Sequence, residues 1–120
     1  MPAEPHDRAT IIRRPLLTAL LGPRGRLCGR VEVKEITFEP GQKTGLHLHK
    51  IPVVGYIAAG EFLFQIEGKP AKRLKAGDAF YEPADTRIVH FDNASDQALG
   101  TFIAFYRLGT TDSELITMLE

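Results

Sequence analysis

Between Leu27 and Leu108 the apolar residues come in short runs, most of them alternating, and Gly or Pro stands between most neighbouring runs. A period of two marks a half-buried strand, whereas a helix needs a period near 3.6 held over ten or more residues. Val31 and Val33 alternate with Glu32 and Lys34, and Ile36 and Phe38 continue on the opposite phase, which predicts a bulge near Lys34–Glu35. Val53 to Ala59 is mostly apolar, Phe62, Phe64 and Ile66 alternate with Leu63, Gln65 and Glu67, and Ala71 to Leu74 is short and half polar. Ala79-Phe80-Tyr81, Ile88 to Phe91 and Leu99 to Leu108 complete the series. Pro40-Gly41, Gly60, Gly68-Lys69-Pro70 and Ala76-Gly77-Asp78 separate the runs, and Gly41, Gly60, Gly68 and Gly77 are expected in tight turns that need positive φ. Strands repeating at intervals of about 8–12 residues predict an all-β sandwich or barrel.

Both ends fall outside this rhythm. Residues 1–10 carry two prolines and little apolar material, and read as a loose tail. Ile11 to Leu21 is apolar but broken by Arg13-Arg14-Pro15, which argues against a continuous helix, and Gly22-Pro23 and Gly25 turn the chain. Such an apolar arm is expected to pack across a subunit boundary. At the other end Thr111 and Glu114 form a capping pair ahead of Leu115, Ile116, Met118 and Leu119, which predicts a short C-terminal helix. The expected organisation is an arm over 1–26, a barrel over 27–110 and a helix over 111–120.

Composition removes several classes of function. One domain accounts for 120 residues, and 15 basic side chains balance 15 acidic ones, so no net field exists to hold nucleic acid. Residues 1–35 are locally basic, which reads as a solvated segment or as an arm docking on an acidic neighbouring subunit. The single Cys28 cannot form an internal disulfide and reads as a small buried hydrophobe. No apolar run is long enough for a membrane span, and Glu4 and Asp7 break the order of a secretion signal, so a cytoplasmic protein is expected.

The chemistry concentrates on histidine. His47 and His49 are two apart, so on a strand they share a face about 7 Å apart and can tilt toward one point. A third donor must come from elsewhere, and His90 is the other histidine of the strand region, His6 lying in the tail. Neutral imidazole suits Zn, Fe, Ni and Cu, and three donors with open positions describe a catalytic rather than a structural site. Glu61 and Glu82 offer carboxylates but read as solvent-facing or paired at strand ends. Tyr56, Phe64 and Tyr81 read as barrel packing.

Two motifs give these residues a context. Gly41, five residues, His47, Leu48, His49, and then Gly60 after a further ten match a first motif in which Val53 occupies a glutamate position. Gly77, five residues, Pro83, Asp85 and Asn93 match a second, with Asp85 at a glycine position and Ile88 at a histidine position. Over roughly residues 27–108 the chain resembles the cupin superfamily, in its small single-domain bacterial form. The resemblance implies a double-stranded β-helix, or jelly-roll-like barrel, commonly a homodimer, often with exchanged N-terminal strands. It also implies a divalent metal (Zn, Fe, Ni or Mn) on His47 and His49, with His90 standing in for the displaced ligand. Some cupins use three histidines and no carboxylate, and several of those are iron dioxygenases. The implied function is a metal-dependent, dioxygenase-like enzyme acting on a small organic molecule, or else a non-catalytic small-molecule binder or structural barrel with a degenerate metal site.

Overall fold

The computed structural model of the protein describes residues 11–22, 28–109 and 117–119. Nine strands occupy them: β1 (Arg30–Phe38), β2 (His47–Leu48), β3 (Val53–Ala59), β4 (Glu61–Ile66), β5 (Lys72–Lys75), β6 (Ala79–Glu82), β7 (Ile88–Asn93), β8 (Gly100–Leu108) and β9 (Thr117–Met118). They form two antiparallel sheets, one ordered β1-β8-β3-β6 and the other β5-β4-β7-β2-β9. The turn glycines behave as the sequence requires: Gly41, Gly60, Gly68 and Gly77 have φ of 70°, 84°, 81° and 99°. Gly60 is also hemmed in, because a Cβ there would stand 2.9 Å from both the Gly100 Cα and the Leu99 carbonyl oxygen.

The core lies between the sheets. Six of the seven phenylalanines (Phe38, Phe62, Phe64, Phe80, Phe91 and Phe102) form one cluster drawn from both sheets. Phe91 is its hub, with ring centroids 4.7 Å from Phe102, 4.9 Å from Phe80 and 5.3 Å from Phe62. Edge-on and tilted rings at these separations add to the burial energy through their quadrupoles.

Local pattern misleads at several points. β1 pairs with β8 without a break from Arg30↔Leu108 to Phe38↔Gly100, so the bulge expected near Lys34–Glu35 does not form. Val31 and Val33 instead point outward and are more than half exposed, while Ile36 and Phe38 face the core. Tyr56 likewise lies on the outer face, at 37% exposure. Cys28, which precedes β1, is exposed rather than buried. The helix expected over 111–120 falls largely outside the described residues. Its described part, Thr117–Met118, is a strand against His47–Leu48, satisfying backbone groups that β2 would otherwise present at an edge. Residues 11–22 have no regular structure. They lie near β6, with the Tyr81 hydroxyl donating to the Leu20 carbonyl at 3.2 Å and the Arg14 guanidinium to that of Gly77 at 3.4 Å.

Candidate metal centre

The inner face of the first sheet can be laid out from its register. Tyr106 of β8 pairs with Val53 of β3, and Val53 with Glu82 of β6. The next inward rank runs Lys34, Ala104, Gly55 and Phe80 across β1, β8, β3 and β6. Ile36, Phe102 and Ile57 form the third across β1, β8 and β3. A cavity of about 320 Å³ lies against these ranks, with Phe38, Phe80, Phe91 and Phe102 among its walls and His47, His49, Glu82 and Tyr106 also facing it.

His47 enters from the second sheet, where β2 pairs directly with Ile88 of β7. Its Nδ1 donates to the Gly45 carbonyl at 2.8 Å, which sets the tautomer and leaves Nε2 facing Glu82. His49 follows immediately after β2, and its carbonyl accepts a 2.7 Å hydrogen bond from the Asp85 amide. Asp85 has φ 57°, the left-handed conformation that the glycine of the second motif would supply and that Asp tolerates better than most residues. One substituted motif position thus retains its backbone role and helps hold His49.

His49 Nε2 lies 2.8 Å from Glu82 Oε1, and His47 Nε2 lies 3.9 Å from the same oxygen. The two imidazoles stand nearly perpendicular with centroids 5.2 Å apart. Each of the three residues has a donor atom within 4.8 Å of the others, and all three are buried. Burial alone would lower the pKa of His47, but the Glu82 carboxylate, the Gly45 carbonyl and the charge of Asp92 outweigh it, so His47 titrates above its ordinary value. Burial would raise that of Glu82, but both histidines outweigh it and hold the carboxyl below its ordinary range. Tyr106 is pushed up to about 12 by burial and by the charge of Glu82, so its phenol keeps its proton.

Glu82, expected at a solvent-facing or paired strand end, is 3% exposed and completes the cluster, because β6 alternates and Phe80 and Glu82 both face inward. Directly opposite Glu82 stands Val53, the residue at the glutamate position of the first motif. Facing residues on adjacent strands have Cβ atoms about 5 Å apart, so the carboxylate has moved sideways by one strand without leaving the site. The alternation from Phe80 was the signal for it in the sequence. Glu61 does pair at a strand end, with Arg73 at 3.2 Å.

His90 does not join this cluster. In β7 the register slips from Gln65↔His90 to Ile66↔Ile88, so Val89 is an extra residue. The expectation that His90 shares a face with Ile88 therefore fails. Phe91 turns inward with Ile88, and His90 stands on the other face, its Nδ1 2.8 Å from the Asp92 carboxylate. Ile88, at the motif's histidine position, is fully buried beside His47.

The donor set fits a divalent ion. Two neutral imidazoles and one carboxylate suit Fe(II) or Zn(II), and three protein donors leave positions open toward the cavity. Solved structures of the same architecture include a DMSP lyase from Ruegeria pomeroyi (21% identity, TM-score 0.63, 74% of this chain and 43% of that one). A cupin-like protein from Thermotoga maritima matches at 26% identity and TM-score 0.62, over 74% of this chain and 64% of that one. An RmlC-like cupin from Shewanella frigidimarina matches at 26% identity and TM-score 0.57, over 68% and 69%. The chain thus spans less than two thirds of the length of the first two. No curated protein matches it by sequence. The model of the cupin domain family matches residues 34–105, well over half of the chain, and with the two-sheet barrel and the retained motif spacing this places the protein in the cupin family.

Proposed function

We propose that the protein is a metal-dependent enzyme that binds one divalent ion through His47, His49 and Glu82 and acts on a small organic molecule in the adjoining cavity. The observation that carries this reading is the buried convergence of two imidazoles and one carboxylate on a cavity wall. A two-histidine, one-carboxylate set with open positions is the donor pattern of non-haem Fe(II) oxygenases, in keeping with dioxygenase-like chemistry, and it also occurs in zinc hydrolases. The ion supplies Lewis acidity or redox capacity. The chain's own residues orient it through the Gly45 contact of His47, and the three donor residues are withdrawn from solvent, at 2%, 6% and 3% exposure for His47, His49 and Glu82.

The alternative is a metal-free binding barrel, favoured by the 2.8 Å contact through which Glu82 and His49 satisfy each other. Metal analysis of untagged protein separates the two. The first reading expects close to one equivalent in the wild type, and a His47→Ala, His49→Ala variant at background. Equal metal contents in the two proteins would refute it.

A homodimer is part of the same reading. Val31, Val33, Tyr56 and Phe105 crowd the outer face of the first sheet, and Ile12 and Leu20 of the arm are 88% and 82% exposed. Apolar surface gathered in this way favours association. Light scattering at micromolar concentration is expected to give the dimer mass, and a monomer would refute it.

A further inference from the structure

Tyr106 is only 6% exposed, faces the cavity, and its hydroxyl has no hydrogen-bond partner among the described residues. A buried phenol is ordinarily satisfied, and leaving one unmatched costs free energy. It stands two strands from Glu82 in the same inward rank, with Val53 between them, and both residues line the cavity, so its hydroxyl is available to a molecule bound there. A tyrosine hydroxyl carries a proton that it can donate, so the matching group on that molecule is an acceptor.

Charge defines the acceptor further. A dication held by the single carboxylate Glu82 retains one positive charge, and Lys34 on the cavity wall adds a second. Glu32, the acidic neighbour of Lys34 at 3.8 Å, is shared with Arg30 at 3.1 Å. The cavity thus presents positive charge and a neutral donor at its polar side and phenylalanine over most of the rest. Its volume of about 320 Å³ is at the small end of ligand pockets, which suits a small molecule.

We propose that the ligand is a small monocarboxylate with an apolar body, the carboxylate accepting the Tyr106 hydroxyl beside the metal and neutralised in part by Lys34, the body lying against the phenylalanine walls. This rests on the metal reading above and assigns the substrate class of the same site.

The test loads wild-type protein with Zn(II), measures its uptake, and titrates the zinc form calorimetrically with phenylacetate, phenylacetamide and acetate. Phenylacetate is expected to bind at least about tenfold more tightly than the neutral amide, and more tightly than acetate, which lacks the body. Tyr106→Phe and Lys34→Met are each expected to weaken phenylacetate by roughly tenfold while leaving zinc uptake unchanged. Equal affinities for phenylacetate and phenylacetamide, or variants that bind phenylacetate as well as wild type, would overturn the proposal and leave the metal reading standing. A wild type that takes up no zinc would overturn both.

Discussion

Replacing Gly55 by Ala probes the seat of Phe80, one of the cavity's walls. The Phe80 ring lies directly over Gly55, and the Ile103 carbonyl oxygen would stand 2.9 Å from an added Cβ. The carbonyl belongs to the β3–β8 ladder and cannot yield, so the ring must move, and it moves within a cluster where its centroid is already 4.9 Å from that of Phe91. Overpacking of this kind costs about 1–3 kcal/mol. Restricting the unfolded chain offsets about 0.4–1 kcal/mol of that. A net loss of about 1–2 kcal/mol corresponds to a Tm lowered by roughly 3–10 °C for a domain of this size. Thermal denaturation followed by circular dichroism measures it, and the double variant Gly55→Ala, Phe80→Leu supplies the control. With the ring gone the added methyl has room, so the double variant should be no less stable than Phe80→Leu alone, a coupling on the order of 1 kcal/mol. A Gly55→Ala protein as stable as wild type, or strictly additive effects, would show that Phe80 does not pack on Gly55.

Three further outcomes test the site. Glu82→Val should lower metal affinity by at least about 10–100-fold, and adding Val53→Glu should restore a substantial part of it from the facing strand; competition with a chelator reads both, and no recovery would argue against the sideways exchange of the carboxylate. His90→Ala should leave metal affinity unchanged, since His90 lies outside the donor cluster, whereas a loss matching that of His47→Ala would put it back in the site. In the metal-free protein the raised His47 pKa contributes stability that is complete below 6.5 and fades as pH rises through the folded value. The lowered Glu82 pKa contributes stability present above 4.5 that fades as pH falls through its folded value. The Tm difference between wild type and Glu82→Gln in chelator should therefore be largest between these two pH values, and a difference that grows toward pH 9 would contradict the pairing.

Much of this protein was legible in its sequence because strands and turns are local. The alternation of Phe62, Phe64 and Ile66 and the glycines at 41, 60, 68 and 77 each express a preference of a few consecutive residues, and the structure keeps them. The histidine pair was legible for the same reason, since two residues apart on an extended chain share a face whatever the rest of the fold does. Glu82 and His90 depended on what lies across the sheet. Glu82 became a donor candidate because β6 pairs with β3 in the register that sets it opposite Val53. His90 left the site because a single extra residue, Val89, reversed the face it presents. Strand register is fixed by partners distant in sequence, and with a side-chain period of two a one-residue slip exchanges inside for outside, so which of these side chains meet was decided only when the two sheets closed on their core.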